Sequence, residues 1–252
     1  MKYRPPFHCP HLPVFLGRFP SRERKSGFTL TELLVVIVII AALAAIVLAV
    51  TTKLRQSART AQATTNIRQI GVLLSSYIQD NNNRLPVSIN WGNIDNTWLQ
   101  RVLSESAGLP VKPAKDLERR LADIFYDPAL GKESHPYGDF GGNDAILTDF
   151  NPWLPGSDPN TRGRPLDSIG ALNKKVLVAS AKILSGVPCK GSWVFQGSEW
   201  AAAGTAATMP DARHGGKTLS LFADGHVKLL NTDAMDAATR KLYFLPDING
   251  QN

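Results

Sequence analysis

The hydrophobic pattern of the chain predicts one long N-terminal helix built from two different halves. Residues 33–50 form a run of eighteen residues without a polar side chain, which is long enough for a helix to cross a bilayer. In residues 51–80, apolar and small residues recur mostly three or four positions apart, which is the spacing of one helix face. Proline is absent from residues 28–85, and Asn81-Asn82-Asn83 is typical of a helix end. We therefore expect a helix from about residue 28 to residue 80.

The second half of this helix has a face on which a folded domain is expected to dock. Its apolar and small residues are Leu54, Ala58, Ala61, Ile67, Ile70, Leu73, Leu74, Tyr77 and Ile78. Basic and polar residues fall between them and define an opposite, solvated face. The pattern predicts that packing against this domain begins soon after residue 50.

After residue 81 the composition becomes that of an α+β domain with many loops. Thr97-Trp98-Leu99-Gln100 is a capping-box pattern, which predicts a short helix that ends near Gly108. A second short helix is expected at about residues 114–124. Residues 127–170 are rich in Gly, Pro, Asp and Asn, and we expect long loops there.

Strand signals are concentrated in the last third of the chain. Residues 176–179 and 193–195 are short strand candidates because they are rich in β-branched and aromatic residues. Together with the hairpin described next, they predict a small antiparallel sheet. The expected fold class is therefore α+β, with the long N-terminal helix packed on this sheet.

Asp224-Gly225 stands between two apolar-rich runs, which is a strong signal for a β-hairpin. A two-residue type I′ turn would have positive φ at both residues. Such a turn would place Phe222 opposite Val227 and Ser220 opposite Leu229. We therefore expect Gly225 to have a positive φ.

The net charge of +7 is concentrated at the N-terminus. Residues 1–27 contain six Lys and Arg and one acid, a net charge of +5, which leaves +2 for the rest of the chain. A basic excess confined to one terminal segment does not indicate a nucleic-acid-binding surface. We interpret residues 1–27 as a basic leader peptide.

The boundary between this leader and the apolar run carries a distinctive set of residues. Gly27-Phe28 is followed by Glu32 at the start of the apolar run. A carboxylate in a membrane segment is costly and is by default a candidate functional residue. The basic leader, Gly27-Phe28 and Glu32 together resemble the signal of type IV prepilins and type II secretion pseudopilins.

The resemblance implies how the chain is processed and assembled. In this family a membrane aspartyl peptidase cleaves after the glycine, so Gly27 and Phe28 form the expected cleavage site. The new N-terminal residue, Phe28, is then N-methylated. Glu32 is expected to pair with the freed amine of Phe28, in the same or a neighbouring subunit, during assembly into a type IV pilus or type II secretion pseudopilus. The implied partners are the prepilin peptidase, other pilin or pseudopilin subunits in a homo- or hetero-polymer, and the membrane.

The same resemblance implies a pilin-like domain organisation and a location. Residues 1–27 would be removed, residues 28–50 would form the transmembrane and assembly helix, and residues 51–81 its soluble half. Residues 82–252 would form the globular head. The chain would cross the inner membrane once, with its N-terminus cytoplasmic and its head periplasmic, or extracellular in an assembled pilus.

His214 and Asp224-Gly225 are separated by nine residues. This spacing resembles the H-X9-DG element near the C-terminus of a group of prepilin-like proteins, notably from Verrucomicrobia and Planctomycetes. Members of that group often have Cys-Pro near the position that Tyr126-Asp127-Pro128 occupies here. We interpret His214, Asp224 and Gly225 as a structural motif of the head.

His214 and Asp224 belong to residue types that can form a general-base pair, but catalysis also needs a nucleophile and an oxyanion site. The chain has no nucleophile elbow, P-loop or zinc-binding spacing. We therefore expect no enzymatic activity. Our interpretation is that His214 and Arg213 brace a hairpin whose turn is made by Asp224 and Gly225.

Calcium is the one cofactor that the sequence suggests as an alternative to none. Asp139, Asp144, Asp149 and Asp158 supply oxygen ligands in a Gly-rich region, and major pseudopilins of type II secretion carry calcium in a loop. Their spacing is not that of an EF-hand, and aspartate is frequent in any surface loop. We expect no cofactor, with these residues as the weaker calcium alternative.

Two other functions compete with an assembling subunit. Lys174-Lys175, Lys182 and Lys190 lie near Trp193 and are the only hint of a basic, aromatic-lined surface for nucleic acid. Because the mature chain carries a net charge of only +2, we expect no nucleic-acid partner. The stronger alternative is a membrane-anchored surface binding domain that does not polymerise.

Overall fold

A computed structural model describes residues 27–88, 97–106, 123–135, 138–148, 163–184 and 190–247. The contacts within the chain define two compact units, Met1–Ala49 and Val50–Asn252. Helix α1 extends over Leu30–Asp80, which confirms the predicted long helix. The turn that follows it contains Asn82 and Asn83, whose φ angles of +53° and +58° lie in the left-handed region that asparagine tolerates.

The part of the chain after α1 forms the head, and its described residues include short helices and six strands. The helices are α2 (Trp98–Ser106), α3 (Asp144–Leu147), α4 (Gly197–Ala203) and α5 (Ala237–Phe244). The strands are β1 (Phe140–Asn143), β2 (Val176–Ile183), β3 (Val194–Phe195), β4 (Thr208–Pro210), β5 (Thr218–Phe222) and β6 (Val227–Leu230).

The strands form one mixed sheet in the order β3-β1-β2-β5-β6, with β4 pairing with β2. All pairs are antiparallel except β1–β3, which is parallel. The α+β class with a long helix packed on a small sheet is therefore confirmed, while the expectation of a purely antiparallel sheet is wrong at one pair. Strand β3 contains two residues, too few for a hydrophobic pattern to reveal its direction.

The expected secondary structure of the head is only partly right. The capping box is present, because the Thr97 amide donates to Gln100 Oε1 at 2.6 Å and α2 follows it. Strands β2 and β3 include the two predicted strand segments. Of the helix expected at residues 114–124, residues up to 122 lie outside the described part, and residues 123–125 form a 3-10 turn.

Strand β1 lies in the region where loops were expected, so that prediction is wrong. Glycine is unfavourable in strands, yet β1 contains Gly141 and Gly142. A Cβ at Gly141 would lie 2.7 Å from the Ala181 Cβ, and one at Gly142 would lie 2.6 Å from Trp98 Nε1. These glycines allow close packing on both faces of the sheet, which local sequence preference does not reveal.

One face of α1 supplies a large part of the core of the head. Its buried residues are Ala63, Ile67, Ile70, Leu74, Tyr77 and Ile78, and they pack with residues of α2, β1, β2 and β5. Leu54, Ala58 and Ala61 were expected on this face but are exposed, Leu54 by 63%. Packing against the head therefore begins about two turns later than the pattern suggested, because the head does not cover the first turns after Val50.

The opposite face of the sheet is covered by aromatic side chains from the C-terminal helices. Phe244 of α5 makes edge contacts with Trp200 and Phe195, at centroid distances of 4.6 Å and 5.9 Å. Strand β5 alternates between the two layers, since Leu219 and Leu221 belong to the α1 side and Phe222 to this second cluster. Each face of β5 thus contributes to a separate part of the core.

The predicted hairpin between β5 and β6 is present, but its turn and register differ from the expectation. Leu221 pairs with Val227 and Ser220 pairs with Lys228, one position away from the expected pairs. The Phe222 amide donates to the His226 carbonyl and the Gly225 amide donates to the Phe222 carbonyl, both at 2.9 Å, which gives a three-residue loop rather than a two-residue type I′ turn. Gly225 has a φ of +89° as expected, the left-handed position that follows a type I turn in such loops.

The type I′ geometry occurs instead at Gly215-Gly216, in the turn that precedes β5. Gly215 and Gly216 have φ angles of +64° and +78°, which is positive at both central positions. The flanking residues His214 and Lys217 exchange two backbone hydrogen bonds of 3.1 Å and 3.3 Å. This turn fixes the backbone of His214 just before β5.

Replacing Gly225 with valine tests the left-handed backbone at the hairpin loop. A Cβ at this position meets no atom within 4 Å, so the cost comes from backbone strain. Gly225→Val should lower the free energy of unfolding by roughly 1–3 kcal/mol. Gly225→Asn should lose less, because asparagine tolerates positive φ. Urea denaturation of the solubilised chain, followed by circular dichroism, measures both, and equal losses would contradict the assigned conformation.

Candidate functional site

The Gly27–Phe28 peptide bond lies immediately before α1, in backbone that is not helical. Phe28 is 81% exposed. A Cβ at Gly27 would meet nothing within 4 Å. The bond is therefore accessible, and nothing within the described chain requires glycine at this position.

Glu32 closes a capping box at the N-terminus of α1. Its Oε2 accepts hydrogen bonds from the Thr29 amide at 2.9 Å and the Thr29 hydroxyl at 2.8 Å. In return, the Glu32 amide donates to Thr29 Oγ1 at 3.3 Å. The Thr-x-x-Glu spacing is the sequence signal of a capping box. This cap could therefore have been predicted from the sequence. The box starts the helix just after Phe28 and holds the carboxylate near that residue.

The apolar half of α1 is exposed along its length. An eighteen-residue window of the helix has a mean hydropathy of 3.5, and none of it is buried within the chain. By length and composition this segment can cross a membrane, a criterion that an N-terminal signal sequence also meets. An exposed apolar surface of this size fits membrane anchoring.

His214 contacts α1 through one ring nitrogen and another part of the head through the other. Its Nε2 lies 2.9 Å from Asp127 Oδ2, and its Nδ1 lies 3.3 Å from Thr60 Oγ1 on α1. The side chains of His214 and Asp127 are 1% and 0% exposed. This pairing explains why both polar groups are tolerated in the interior, since a buried polar group is costly unless it is hydrogen-bonded.

Further polar groups surround Asp127. The Asp127 amide donates to Asp139 Oδ2 at 2.9 Å, and the His135 amide donates to Asp139 Oδ1 at 2.8 Å. Burial raises the pKa of the Asp139 carboxyl, while these two amide hydrogen bonds act in the opposite direction. The Arg213 guanidinium places a positive charge near the Asp127 carboxylate, since its Nη1 lies 3.7 Å from Asp127 Oδ2. We call Asp127, Asp139, Arg213 and His214 the buried polar cluster.

The structure separates His214 from Asp224 instead of bringing them together. They lie before and after β5, and five residues of extended strand span about 16 Å. Asp224 Oδ1 instead accepts hydrogen bonds from the His226 amide at 3.1 Å and from His226 Nδ1 at 2.6 Å. Asp224 thus stabilises the hairpin loop, as expected, whereas His214 contacts α1 and Asp127 and not the loop.

Thr60, His214 and Asp127 have the residue types of a catalytic triad, but the His214 ring is almost completely buried. A general base needs access to the proton that it removes from the substrate. The arrangement can join two elements, but it offers a substrate no approach to the imidazole.

Two of the four calcium candidates act as hydrogen-bond acceptors inside the head. Asp139 accepts the two amide hydrogen bonds described above, and Asp144 Oδ1 accepts one from the Gly197 amide at 2.8 Å. Asp149 and Asp158 lie outside the described residues. Within the described residues, no group of three or more His, Cys, Asp or Glu is placed to hold a metal ion. Asp139 and Asp144 are buried, unlike the ligands of the flexible loop that the calcium alternative supposes.

Three of the lysines that hinted at a nucleic-acid surface are paired with carboxylates. Lys175 is completely buried, and its Nζ lies 2.5 Å from Asp247 Oδ1. Lys182 lies 3.5 Å from Asp211 and Lys190 lies 2.8 Å from Glu133. These contacts give no support to a continuous basic surface.

Sequence reasoning missed the Asp127–His214 and Lys175–Asp247 contacts. Asp127 was noted in the sequence only within Tyr126-Asp127-Pro128, where a Cys-Pro pair is absent. Lys175 also donates to the Leu242 carbonyl at 2.7 Å, so it fastens the C-terminal segment to the start of β2. Each pair joins residues that are more than seventy positions apart, and no local pattern in the sequence could have identified them.

Comparison with known proteins supports the N-terminal part of this description. Residues 22–48 match the prokaryotic N-terminal methylation motif, a stretch that includes Gly27, Phe28 and Glu32. No curated protein and no solved structure matches the chain. The chain therefore carries a prepilin- or pseudopilin-type signal at its N-terminus.

Removing the His214 imidazole should destabilise the attachment of the head to α1. His214→Ala leaves the buried Asp127 carboxylate without its imidazole partner, a loss of roughly 1–3 kcal/mol in the free energy of unfolding. Thr60→Val removes the other partner and should cost less. If both contacts act through the His214 ring, the variant with His214→Ala and Thr60→Val should lose less stability than the sum of the two single losses.

Urea denaturation of the wild type, the two single variants and the double variant measures this coupling. Gln69→Ala, an exposed polar substitution on α1, is a matched control and should change stability by no more than about 0.5 kcal/mol. A His214→Ala protein with wild-type stability and a lost assembly phenotype would show that His214 has a functional role instead of a structural one.

Proposed function

We propose that the chain is a prepilin-like, membrane-anchored subunit that assembles into a type IV pilus or a type II secretion pseudopilus. In this proposal the chain is cleaved between Gly27 and Phe28, and Phe28 is N-methylated. The observation that carries the proposal is the match of residues 22–48 to the N-terminal methylation motif. That match coincides with an apolar helix whose spanning window is unburied within the chain.

The geometry around the proposed cleavage site supports processing. The Gly27–Phe28 bond precedes the helix and is exposed, so a peptidase can bind it without unwinding α1. Because a side chain at Gly27 would meet no neighbour, a requirement for glycine would come from the peptidase and not from folding. Cleavage and folding of the head are therefore separable in an experiment.

Glu32 is the proposed assembly residue. Cleavage would create a positively charged amine on Phe28, four residues before Glu32 and about one helical turn away. An ion pair in a low-dielectric environment is much stronger than the same pair in water. The capping box already holds the Glu32 carboxylate toward the N-terminus of α1, where an amine of the same or a neighbouring subunit can reach it.

The remaining features of the proposal concern location, partners and the head. We infer a single-pass inner-membrane protein with a periplasmic head, a prepilin peptidase as processing enzyme, and other pilin or pseudopilin subunits as partners. The His214 to Gly225 element supports a place in the H-X9-DG group and a structural, non-enzymatic role for that element. Its two ends serve different contacts, since His214 joins α1 to the head and Asp224-Gly225 forms the hairpin loop.

The alternative is a membrane-anchored binding domain that does not polymerise. Such a protein would need the apolar half of α1 but neither a free amine on Phe28 nor a carboxylate at Glu32. The methylation motif favours the assembling subunit, because the motif extends over both residues. The two experiments below separate the alternatives.

Replacing Gly27 tests processing. Gly27→Phe should leave the leader attached, whereas the small substitution Gly27→Ala should retain at least partial cleavage. Both variants should have the same head stability as the wild type, since residue 27 has no neighbours. Mass spectrometry of the membrane-extracted protein identifies the N-terminus, and a mature wild-type chain that begins anywhere other than Phe28 would refute the assignment.

Replacing Glu32 tests assembly separately from processing. Glu32→Ala and Glu32→Gln should both insert and be cleaved, yet crosslink poorly into filaments beside wild-type subunits. Glutamine can still accept the Thr29 hydrogen bonds, so its failure would show that charge is required and not helix capping alone. Incorporation of both variants at the wild-type level would mean that the carboxylate has no part in assembly.

A further inference from the structure

The turns of α1 that follow Val50 form a basic segment that the head leaves uncovered. Every residue from 52 to 59 is exposed, and the segment carries Lys53, Arg55 and Arg59. We call these three residues the basic collar. Its exposure is notable because the compact unit that contains the head starts at Val50, while burial of the helix begins only at Ala63.

The basic collar has no carboxylate partner within the described residues. None of its side chains takes part in an ion pair there, and α1 contains no acid between Glu32 and Asp80. The paired lysines of the head show that this chain neutralises other basic residues internally. The collar is therefore an unneutralised positive charge next to an apolar run.

With Val50 at the edge of the hydrocarbon core, Lys53 and Arg55 lie at the level of the headgroup layer and Arg59 lies about one helical turn beyond it. At 1.5 Å per residue, Lys53, Arg55 and Arg59 lie about 4.5, 7.5 and 13.5 Å beyond Val50. The headgroup layer on each side of the hydrocarbon core is about 5–8 Å thick. Long basic side chains can extend toward this layer while their stems remain on the helix.

The collar also faces more than one direction around the helix. At about 100° per residue, Arg55 and Arg59 are about 40° apart, and Lys53 lies about 160° from Arg55. A docked protein surface would contact one side of the helix. Lipid headgroups surround a membrane helix, so they can neutralise charges on both sides.

We propose that Lys53, Arg55 and Arg59 bind anionic phospholipid headgroups in the leaflet on the side of the head. The proposal rests on membrane insertion of the apolar half of α1 and is independent of cleavage and filament assembly. Binding at this level fixes how deeply the helix sits and holds its exposed turns at the membrane surface. A subunit that leaves the membrane during assembly must release these lipids.

Spin-labelled lipids test the proposal on the full chain in vesicles that contain phosphatidylcholine and phosphatidylglycerol. We expect the chain to immobilise phosphatidylglycerol roughly fivefold more than phosphatidylcholine at low salt. This factor is the effect expected of one basic side chain near an anionic surface. A variant with Lys53→Gln, Arg55→Gln and Arg59→Gln should lose at least half of this preference. The leader is identical in all proteins, so differences between them report the collar.

Arg68→Gln is the matched control, because Arg68 is an exposed basic residue of the same helix. It lies about 27 Å beyond Val50, more than the screening length of about 10 Å at 0.1 M salt. This variant should keep the wild-type preference. Raising the salt to 1 M should reduce the preference of the wild type toward that of the triple variant.

Three results would overturn the proposal. The first is an inserted triple variant with the wild-type preference for phosphatidylglycerol. The second is an unchanged lipid preference together with a loss of crosslinks between copies, which would assign the collar to a protein partner. The third is a wild-type chain that fails to insert, as measured by alkaline extraction, which would refute the membrane anchor as well. Failure of cleavage at Gly27 alone would affect only the proposed function.

Discussion

The burial of one face of α1 against the sheet is the interaction on which the head depends. Ile67, Ile70 and Leu74 are almost completely buried, and complete burial of such a side chain contributes about 1.5–3 kcal/mol. The other face of the sheet is covered by a second cluster, which includes Phe195, Trp200 and Phe244. Without α1, the side of the sheet that carries Leu219 and Leu221 would lose a large part of its cover. The helix is thus a structural part of the head and not merely its stalk.

The buried polar cluster adds specificity to this apolar contact. A hydrophobic stripe alone tolerates sliding along the helix, whereas a hydrogen bond between His214 and Thr60 defines one position. The Asn66 side chain donates to the Tyr126 carbonyl at 3.2 Å, which ties the segment next to Asp127 to the same part of α1. These polar contacts are distant in sequence, so they form only when the head has assembled on the helix. Their loss would leave buried polar groups unsatisfied.

The helix carries three kinds of surface in sequence, each suited to a different environment. The apolar segment up to Val50 suits lipid, the basic collar suits an anionic surface, and the stripe from Ala63 suits the protein core. Glu32 stands at the start of the first segment, where its capping role and its proposed pairing role use the same carboxylate. The proposed anchoring and surface binding are thereby separated from docking along one element, so each can be altered without the others.

The sequence by itself determined the features that depend on local pattern. The long helix, the N-terminal signal, the α2 capping box and the positive φ of Gly225 follow from hydrophobic spacing and from residues with special backbone preferences. The tertiary structure decided the features that depend on distant pairing. The Gly141-Gly142 strand exists because neighbouring elements pack closely on it. His214 and Lys175 found their partners Asp127 and Asp247 across more than seventy residues, because burial of a charge requires a partner that only the folded chain can supply.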